Sequence, residues 1–373
     1  MTKNLFFKKI ELKKYCIVAS SDFINNNAGG TQVIESNINT ILAKETDLCV
    51  YFLDFKNRKI IRKQYFQSLS KNILSSSFKY PSIGRYGATI IKTLLFFYLA
   101  LKNEFILSEH FYSLPTFKIT PRFIRNKIIY SHHDFLFEIK ALRDQSNKEY
   151  LKKIELDSIK KCKAVISGNF KEAEIIKGLG IPTLYLPINT TGNKMSLEFD
   201  FSSTIYHLGS FNTTASKLGF LHFQNEILPY CDKDIKTILI GQDSDLYSTK
   251  ELIKGLGFVD NLSDFLKKGS INVIQWKYGT GQRTRVFESI SRGNIIVSYK
   301  VLGEIIPELV SGKNCILVND ELQFASAINN LCKDHILRQK ISNEAIQLSS
   351  YFSLENRVLK FQNFFEFLTW KKA

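Results

Sequence analysis

Two arginines, Arg283 and Arg285, stand where the stretch KYGTGQRTRVFESISRGNIIVS, residues 277–298, passes from a glycine-bearing loop into a helical pattern. The start of a helix favours acidic side chains by roughly 0.3–1 kcal/mol each at exposed sites, so two cations there oppose the dipole. A bound anion removes the conflict. Free amides at the helix start, Gly279 and Gly281 allowing close backbone approach, and two guanidinium groups together describe a seat for a phosphate or diphosphate. Glu288 lies one turn in, off the apolar side formed by Val286, Phe287 and Ile290, where it can meet solvent or accept hydrogen bonds from a ribose. The competing reading makes Arg285 and Glu288 an i, i+3 surface ion pair worth a few tenths of a kcal/mol. That accounts for one arginine and leaves Arg283 and the two glycines without a reason. The stretch is no P-loop, since no GK[ST] follows, and Thr284 stands where a dinucleotide fingerprint needs its third glycine.

The elements that must position these residues are a strand at Ile271, Val273 and Ile274, a helix from about Thr284, a stop at Gly293 and a strand at Ile295–Val297. In open α/β sheets ligands bind beyond the carboxyl ends of the strands, where the 278–285 loop falls. The same alternation fills the chain. KYCIVAS, the loop SDFINNNAGG, the periodic TQVIESNINTILAKE and LCVYFLD read as strand, glycine loop, helix and strand. NKIIYSHHD and CKAVISGNFKEAEIIKGLGIPTLYLPIN continue the pattern, so parallel strands with crossover helices are expected. Residues 190–203 are polar and weakly periodic and read as a linker. A second alternation follows in STIYHLGSF, LGFLHFQNEILPYC, IKTILIGQ, LIKGLGFV, a helix over NLSDFLKK, and INVIQWKYG. A helical tail from about Leu322 ends in a stripe of Phe361, Phe364, Phe365 and Leu368 that reads as core. ATIIKTLLFFYLAL, residues 88–101, contains Lys92 and is shorter than the roughly 20 residues of a membrane span, so it reads as a buried helix, with contact at a bilayer interface the lesser alternative.

A chain of 373 residues is too long for one core and suits two domains. Its 51 Lys and Arg against 35 Asp and Glu give a net charge of +16, which attracts polyanions, anionic lipid or phosphorylated ligands. No RNA-binding signature or zinc-finger spacing accompanies that charge, so nucleic acid is not expected. Six scattered cysteines with no CxxC pair, and an amino-terminal stretch too broken for a secretion signal, suit a reducing cytosol. QDSD, with Asp243 and Asp245, imitates a metal-binding DxD, but no His, Cys or carboxylate spacing supports a metal site.

YGTGQRTRVFESISRGNIIVS, followed by GEIIPELVSGKNCILVND and FASAINNLCKD, resembles the donor-binding half of GT-B glycosyltransferases, in particular the large retaining group with a GxGxRxKxxEAxAxGxPVVS pattern. YHLGSFNTTASKLGFLHFQNEILP and LIKGLGFVDNLSDFLKKGSINVIQ resemble its opening strand, loop and helix and its middle stretch. The likeness covers most of 203–350, and the order of the four pieces is more specific than any one. It implies two Rossmann-like doubly wound domains facing a cleft, residues 1–190 on the acceptor side and 203–350 binding a nucleotide sugar. A carboxyl-terminal helix, 351–373, would pack back on the first domain. It assigns Arg283 and Arg285 to the donor diphosphate, Arg283 in a catalytic role, and Glu288 to the ribose. Gly209, Lys217 and the Tyr278, Gly279, Thr280 and Gly281 segment also fall at the donor. NNNAGGTQVIE resembles the first-domain glycine loop, placing Gly29, Gly30 and Thr31 at the cleft, and YSHHDF places His132, His133 and Asp134 near sugar or acceptor. This sequence departs from the pattern at Thr280, where many relatives carry glutamate, and at Ser289 and Asn294.

The resemblance implies a nucleotide-sugar-dependent transferase that needs no metal or other cofactor and acts on a glycan or lipid-linked acceptor of bacterial capsule or lipopolysaccharide synthesis. It would be cytoplasmic, with the basic surface favouring peripheral contact with anionic membrane at the inner face. The alternative is a binding subunit of the same shape, without turnover, which Thr280 keeps open.

Overall fold

The structure is a computed structural model describing residues 13–20, 29–54, 56–67, 69–79, 87–109, 114–141, 146–190, 198–249, 252–277 and 281–370. The chain divides into two compact units, one of Met1–Gly168 with Glu172–Leu186, the other of Asn169–Lys171 with Pro187–Ala373.

The first unit opens with β1 (Lys13–Ser20), α1 (Gly29–Leu42), β2 (Asp47–Asp54), β3 (Lys59–Phe66), β4 (Leu69–Lys79), α2 (Gly87–Lys102) and β5 (Asn103–Glu109). It continues with α3 (Leu114–Ile119), α4 (Arg122–Arg125), β6 (Ile128–His132), α5 (Leu136–Ala141), α6 (Lys148–Ile159), β7 (Ala164–Ser167), α7 (Phe170–Lys177) and β8 (Thr183–Tyr185). Its sheet runs β4-β3-β2-β1-β5-β6-β7-β8. β1, β5 and β6 are buried over most of their length on both faces, and each carries a short apolar run, CIVA, FIL and IIY. On α1, Ile34, Ile38 and Ile41 are buried while Glu35 and Asn39 face solvent.

Two features depart from the sequence expectation. β2, β3 and β4 pair antiparallel, Asp47 opposite Phe66 and Lys59 opposite Lys79, so one edge of the sheet is a meander with no crossover helix. Every residue of β3 is only part-buried, and a strand wetted along its length carries no apolar run to announce it. The α2 helix is not wholly buried. Leu95, Phe96, Leu99 and Ala100 enter the core with Lys92, whose ammonium burial pushes down to about 7, but Ile90, Leu94, Phe97 and Leu101 on the opposite side are exposed.

The second unit contains β9 (Thr204–Leu208), α8 (Thr214–His222), β10 (Lys236–Ile240), β11 (Ile253–Gly255), β12 (Ile271–Ile274) and α9 (Thr284–Ser291). There follow β13 (Ile295–Tyr299), α10 (Val301–Ile305), β14 (Ile316–Val318), α11 (Glu321–Lys333), α12 (His335–Tyr351) and α13 (Leu354–Trp370). Its six strands are all parallel in the order β11-β10-β9-β12-β13-β14. Ile205, Leu239, Val273 and Val297 from the strands pack against Phe220, Phe223, Phe324 and Ile328 from the helices. Gly293, at φ +69°, ends α9, and a Cβ there would stand 2.8 Å from Ile346.

The helix expected over NLSDFLKK is a single tight turn, Leu262–Asp264, capped by Asn261. Its apolar spacing suits a helix, but the chain must reverse at once into Gly269, whose positive φ of 80° leads straight to β12. In α13, Phe361, Phe365 and Leu368 are buried as expected of core. The helix belongs to the second unit, where Arg357 donates to the Pro187 carbonyl.

Candidate functional site

In the second sheet the strand order reverses between β9 and β12: β10 and β11 lie on one side of β9, β12 to β14 on the other. Such a switch point opens a crevice at the carboxyl ends of its two strands. Gly209 follows β9 directly, and the loop that leads to α9 follows β12. The two meet. A Cβ built on Gly209 would stand 2.8 Å from Nη2 and 3.0 Å from Cζ and Nη1 of Arg285, so the guanidinium occupies the space a side chain would take. Gly209 has φ +153°, and its N–H donates to the Ile240 carbonyl at 3.0 Å.

Arg285 has no carboxylate partner among the described residues. Burial alone pushes its guanidinium pKa down to about 10. The reading of Arg285 and Glu288 as an ion pair is overturned: Glu288 accepts from Nε of Arg292 at 2.7 Å, and Arg292 also donates from Nη1 to Ser263 Oγ at 2.7 Å. A signal for this was present, since glutamate four residues ahead of arginine is the better helical orientation. Arg285 is therefore a part-buried, largely desolvated cation held at a glycine loop, with no acid to balance it among the described residues.

Arg283 is the N-cap of α9, makes no side-chain cap, and lies with its guanidinium 5.6 Å from the Trp276 ring centroid. Trp276 and Gln275 pack against Gly219 of α8, a tight fit in which a Cβ on Gly219 would meet them at 3.4 and 3.3 Å. Lys217 is exposed on α8. Gly281 is buried, with φ +72°, while Tyr278, Gly279 and Thr280 lie outside the described residues. The structure thus brings Gly209 and Arg285 into contact and sets Arg283 against Trp276. It also adds a residue that sequence reasoning missed: His207, fully buried in β9. Its pKa is pushed down to about 3, first by burial and also by the Arg285 charge, against the opposing effect of the neighbouring Gln275 side chain. It is neutral at pH 7, so it does not repel a dication-like pair further. Asp243 of QDSD sits in a left-handed turn after β10, and among the described residues no group of three His, Cys, Asp or Glu side chains could hold a metal ion.

In the first unit the reversal lies between β1 and β5. Gly29 and Gly30 begin α1, and Thr31 in its first turn is part-buried. Glu109, the last residue of β5, accepts from Asn37 Nδ2 of α1 at 2.8 Å and lies 2.8 Å from Nε2 of His133. Asn37 also donates to Ser131 Oγ at 3.2 Å. His132 points the other way, its Nε2 2.9 Å from Glu172 of α7 and its ring 4.5 Å from that of Phe135. Both histidines are buried and carboxylate-paired, and Asp134 beside them is part-buried.

Burial works against protonation of His132, but the hydrogen bond and charge of Glu172 outweigh it and hold the imidazole pKa above its ordinary value. A raised folded-state pKa contributes stability that is fully present below the unfolded value of about 6.5 and is lost as pH rises through the folded value. Glu172→Gln is expected to lower the melting temperature more at pH 5.5 than at pH 8.5. Thermal unfolding of both proteins across that range checks it, and an equal loss at both ends would show that the pair stays neutral.

Residues 202–334 match the family described as glycosyl transferases group 1. That domain and the architecture of the whole chain are those of GT-B glycosyltransferases. By sequence no curated protein matches it. Among solved structures, HepE of Anabaena in complex with UDP-glucose is 14% identical, superposes with a TM-score of 0.69, and the match covers 95% of this chain and 99% of that one. The lipopolysaccharide outer core galactosyltransferase WaaB in its apo form is 12% identical, with a TM-score of 0.65 over 96% of this chain and 100% of that one. The pneumococcal O-GlcNAc transferase GtfA in complex with UDP and GlcNAc is 9% identical, with a TM-score of 0.66 over 96% and 100%. At these identities the likeness is one of fold. The chain is thus a mixed α/β protein with two sheets of mostly parallel strands, as the resemblance implies.

Proposed function

We propose that this glycosyltransferase moves a sugar from a nucleotide diphosphate sugar to a glycan or lipid-linked acceptor in bacterial envelope polysaccharide synthesis, with retention of configuration. Residues 203–350 would seat the donor and residues 1–190 the acceptor. The observation that carries the reading is Arg285: a guanidinium pressed against Gly209, desolvated and with no acidic partner among the described residues. A buried unpaired charge is costly, and a diphosphate at the mouth of the loop supplies the missing counter-charge. The structures of HepE with UDP-glucose and of GtfA with UDP and GlcNAc favour a uridine diphosphate donor, and the likeness to WaaB, a lipopolysaccharide outer core galactosyltransferase, favours an envelope acceptor.

Catalysis would rest on stabilising the diphosphate as the glycosidic bond breaks. Arg285 meets the developing charge from a low-dielectric wall, and Arg283 and the first amides of α9 add to the field. The leaving phosphate takes the acceptor proton, so no strong protein base is needed, and His133, held by Glu109, would orient the transferred sugar. Such chemistry uses no metal or other cofactor.

Glu288, fixed by Arg292, is the ribose acceptor in this reading. Glu288→Gln keeps one acceptor oxygen and loses the charge, so the donor KM should rise about tenfold, with kcat changed less, in a steady-state donor hydrolysis assay. The proposal as a whole is tested by thermal shift with nucleoside diphosphates and their sugars. A ligand at about 100 times its Kd stabilises by about 2.7 kcal/mol. Stabilisation by a nucleoside diphosphate, absent with the monophosphate at the same concentration, is the expected result, and no response to any member would overturn it.

A further inference from the structure

The α2 helix has two apolar faces and only one of them is used. Leu95, Phe96 and Leu99 enter the core, whereas Ile90, Leu94, Phe97 and Leu101, spaced i, i+4, i+7 and i+11, form a stripe on the opposite side. Their exposures are 44%, 61%, 44% and 57%. The stripe does not stop at the helix. Phe123 of α4, 59% exposed, meets Phe97 edge to face with ring centroids 6.1 Å apart, and Ile119 at the end of the neighbouring α3 is 55% exposed. Solvent-facing apolar residues scattered singly need no explanation, but a contiguous group on adjacent elements marks an interaction surface.

The charges around it identify the partner. Residues 87–103 and 114–127, which carry the whole patch, contain six basic side chains (Lys92, Lys102, Lys118, Arg122, Arg125 and Lys127) and no aspartate or glutamate. Lys102, Lys118 and Arg122 are exposed. Lys102 lies over the Tyr98 ring, 4.5 Å from its centroid, and donates to the Tyr98 hydroxyl, which pairs a cation with an aromatic at the patch margin. A greasy centre of aliphatic and aromatic side chains with Lys102, Lys118 and Arg122 exposed on the same elements fits the boundary between acyl chains and anionic headgroups. No described helix is long and apolar enough to cross a membrane, so the surface would lie on the bilayer.

We infer that the α2, α3 and α4 face of the first unit docks the protein on an anionic bilayer, with Leu94, Phe97 and Phe123 entering the interface and Lys118 and Arg122 meeting headgroups. The inference deepens the lipid-linked acceptor reading, since it would bring an acceptor held in the membrane within reach. It rests on a surface distinct from the donor seat.

The test is sedimentation of the full chain with vesicles of phosphatidylglycerol and phosphatidylcholine, against vesicles of phosphatidylcholine alone. Binding to the anionic vesicles is expected, weakened by salt, since each cation at an anionic surface strengthens binding about fivefold. Leu94→Glu with Phe97→Glu should reduce it at least tenfold while leaving donor hydrolysis and the nucleotide thermal shift unchanged. Those two readouts separate failure of docking from failure of the transferase reading. Lys118→Ser with Arg122→Ser, at exposed positions away from the core, gives a second variant whose binding should fall at least tenfold. Absence of wild-type binding, or binding unchanged in both variants, overturns the inference. So does a wild-type dimer that Leu94→Glu turns into monomers, because a second copy would then cover the face.

Discussion

Arg285→Met is expected to raise the melting temperature of the ligand-free protein while removing both its donor hydrolysis and its response to nucleoside diphosphates. Burial pushes the guanidinium pKa down from its ordinary value to about 10. At 1.36 kcal/mol per unit the shift corresponds to a cost of roughly 3 kcal/mol, of which solvent at the exposed edge screens part, leaving about 1–2 kcal/mol. The sign follows from linkage. A base whose folded pKa is depressed destabilises the fold at every pH below that value, and the penalty fades only as pH rises from about 10 toward the ordinary guanidinium value. Methionine replaces the arginine's aliphatic stem without the charge and stops short of the guanidinium's place beside Gly209, so the gain should be constant between pH 6 and 9 and amount to about 2–6 °C. Turnover moves the other way. Loss of one preorganised donor to a developing oxyanion costs about 10²–10³ in kcat, and donor hydrolysis should fall by that much. An arginine kept for structure would give a lower melting temperature in the variant, and calorimetry of the ligand-free pair decides between them.

The parts of the fold that were readable in advance are those whose burial leaves one simple pattern. β9, β12 and β13 are enclosed on both faces and show as short apolar runs; α9 buries one side only, and Val286, Phe287 and Ile290 mark it. The β3 and β4 meander was not readable because a half-wetted strand mixes Lys59, Arg62 and Lys63 with Ile60 and Ile61, a composition that loops share. Hydropathy cannot distinguish a helix with two apolar faces from a wholly enclosed one, so α2 reads as core although Ile90, Leu94, Phe97 and Leu101 face solvent. At the site, the chemistry of Arg283 and Arg285 against the helix dipole was visible, but not their contacts. Trp276 under Arg283, Gly209 against Arg285 and neutral His207 beside it depend on β9 lying next to β12, a neighbour relation that no local pattern encodes.

That neighbour relation makes Gly209 the other decisive position. Gly209→Ala is expected to weaken nucleoside diphosphate binding by about 10- to 100-fold and to cost about 1–3 kcal/mol of stability, because an L residue at φ +153° is strained before any contact is counted. The new methyl would meet the Arg285 guanidinium at 2.8–3.0 Å, and one of the two must yield. The loop cannot retreat. Its Gly209 carbonyl already lies so close to Gly241 that a Cβ there would stand 1.9 Å from the oxygen, and its N–H is committed to Ile240. The guanidinium therefore moves, out of the place from which it can meet a diphosphate. A double-mutant cycle separates this displacement from backbone strain, since strain is indifferent to residue 285 while the clash is not. Stability measured by chemical denaturation for Gly209→Ala, Arg285→Met and both together should show a coupling of about 1–2 kcal/mol, the alanine costing less once the guanidinium is gone. Equal cost in both backgrounds would mean that the glycine serves only the turn after β9, and that Arg285 takes its position from elsewhere.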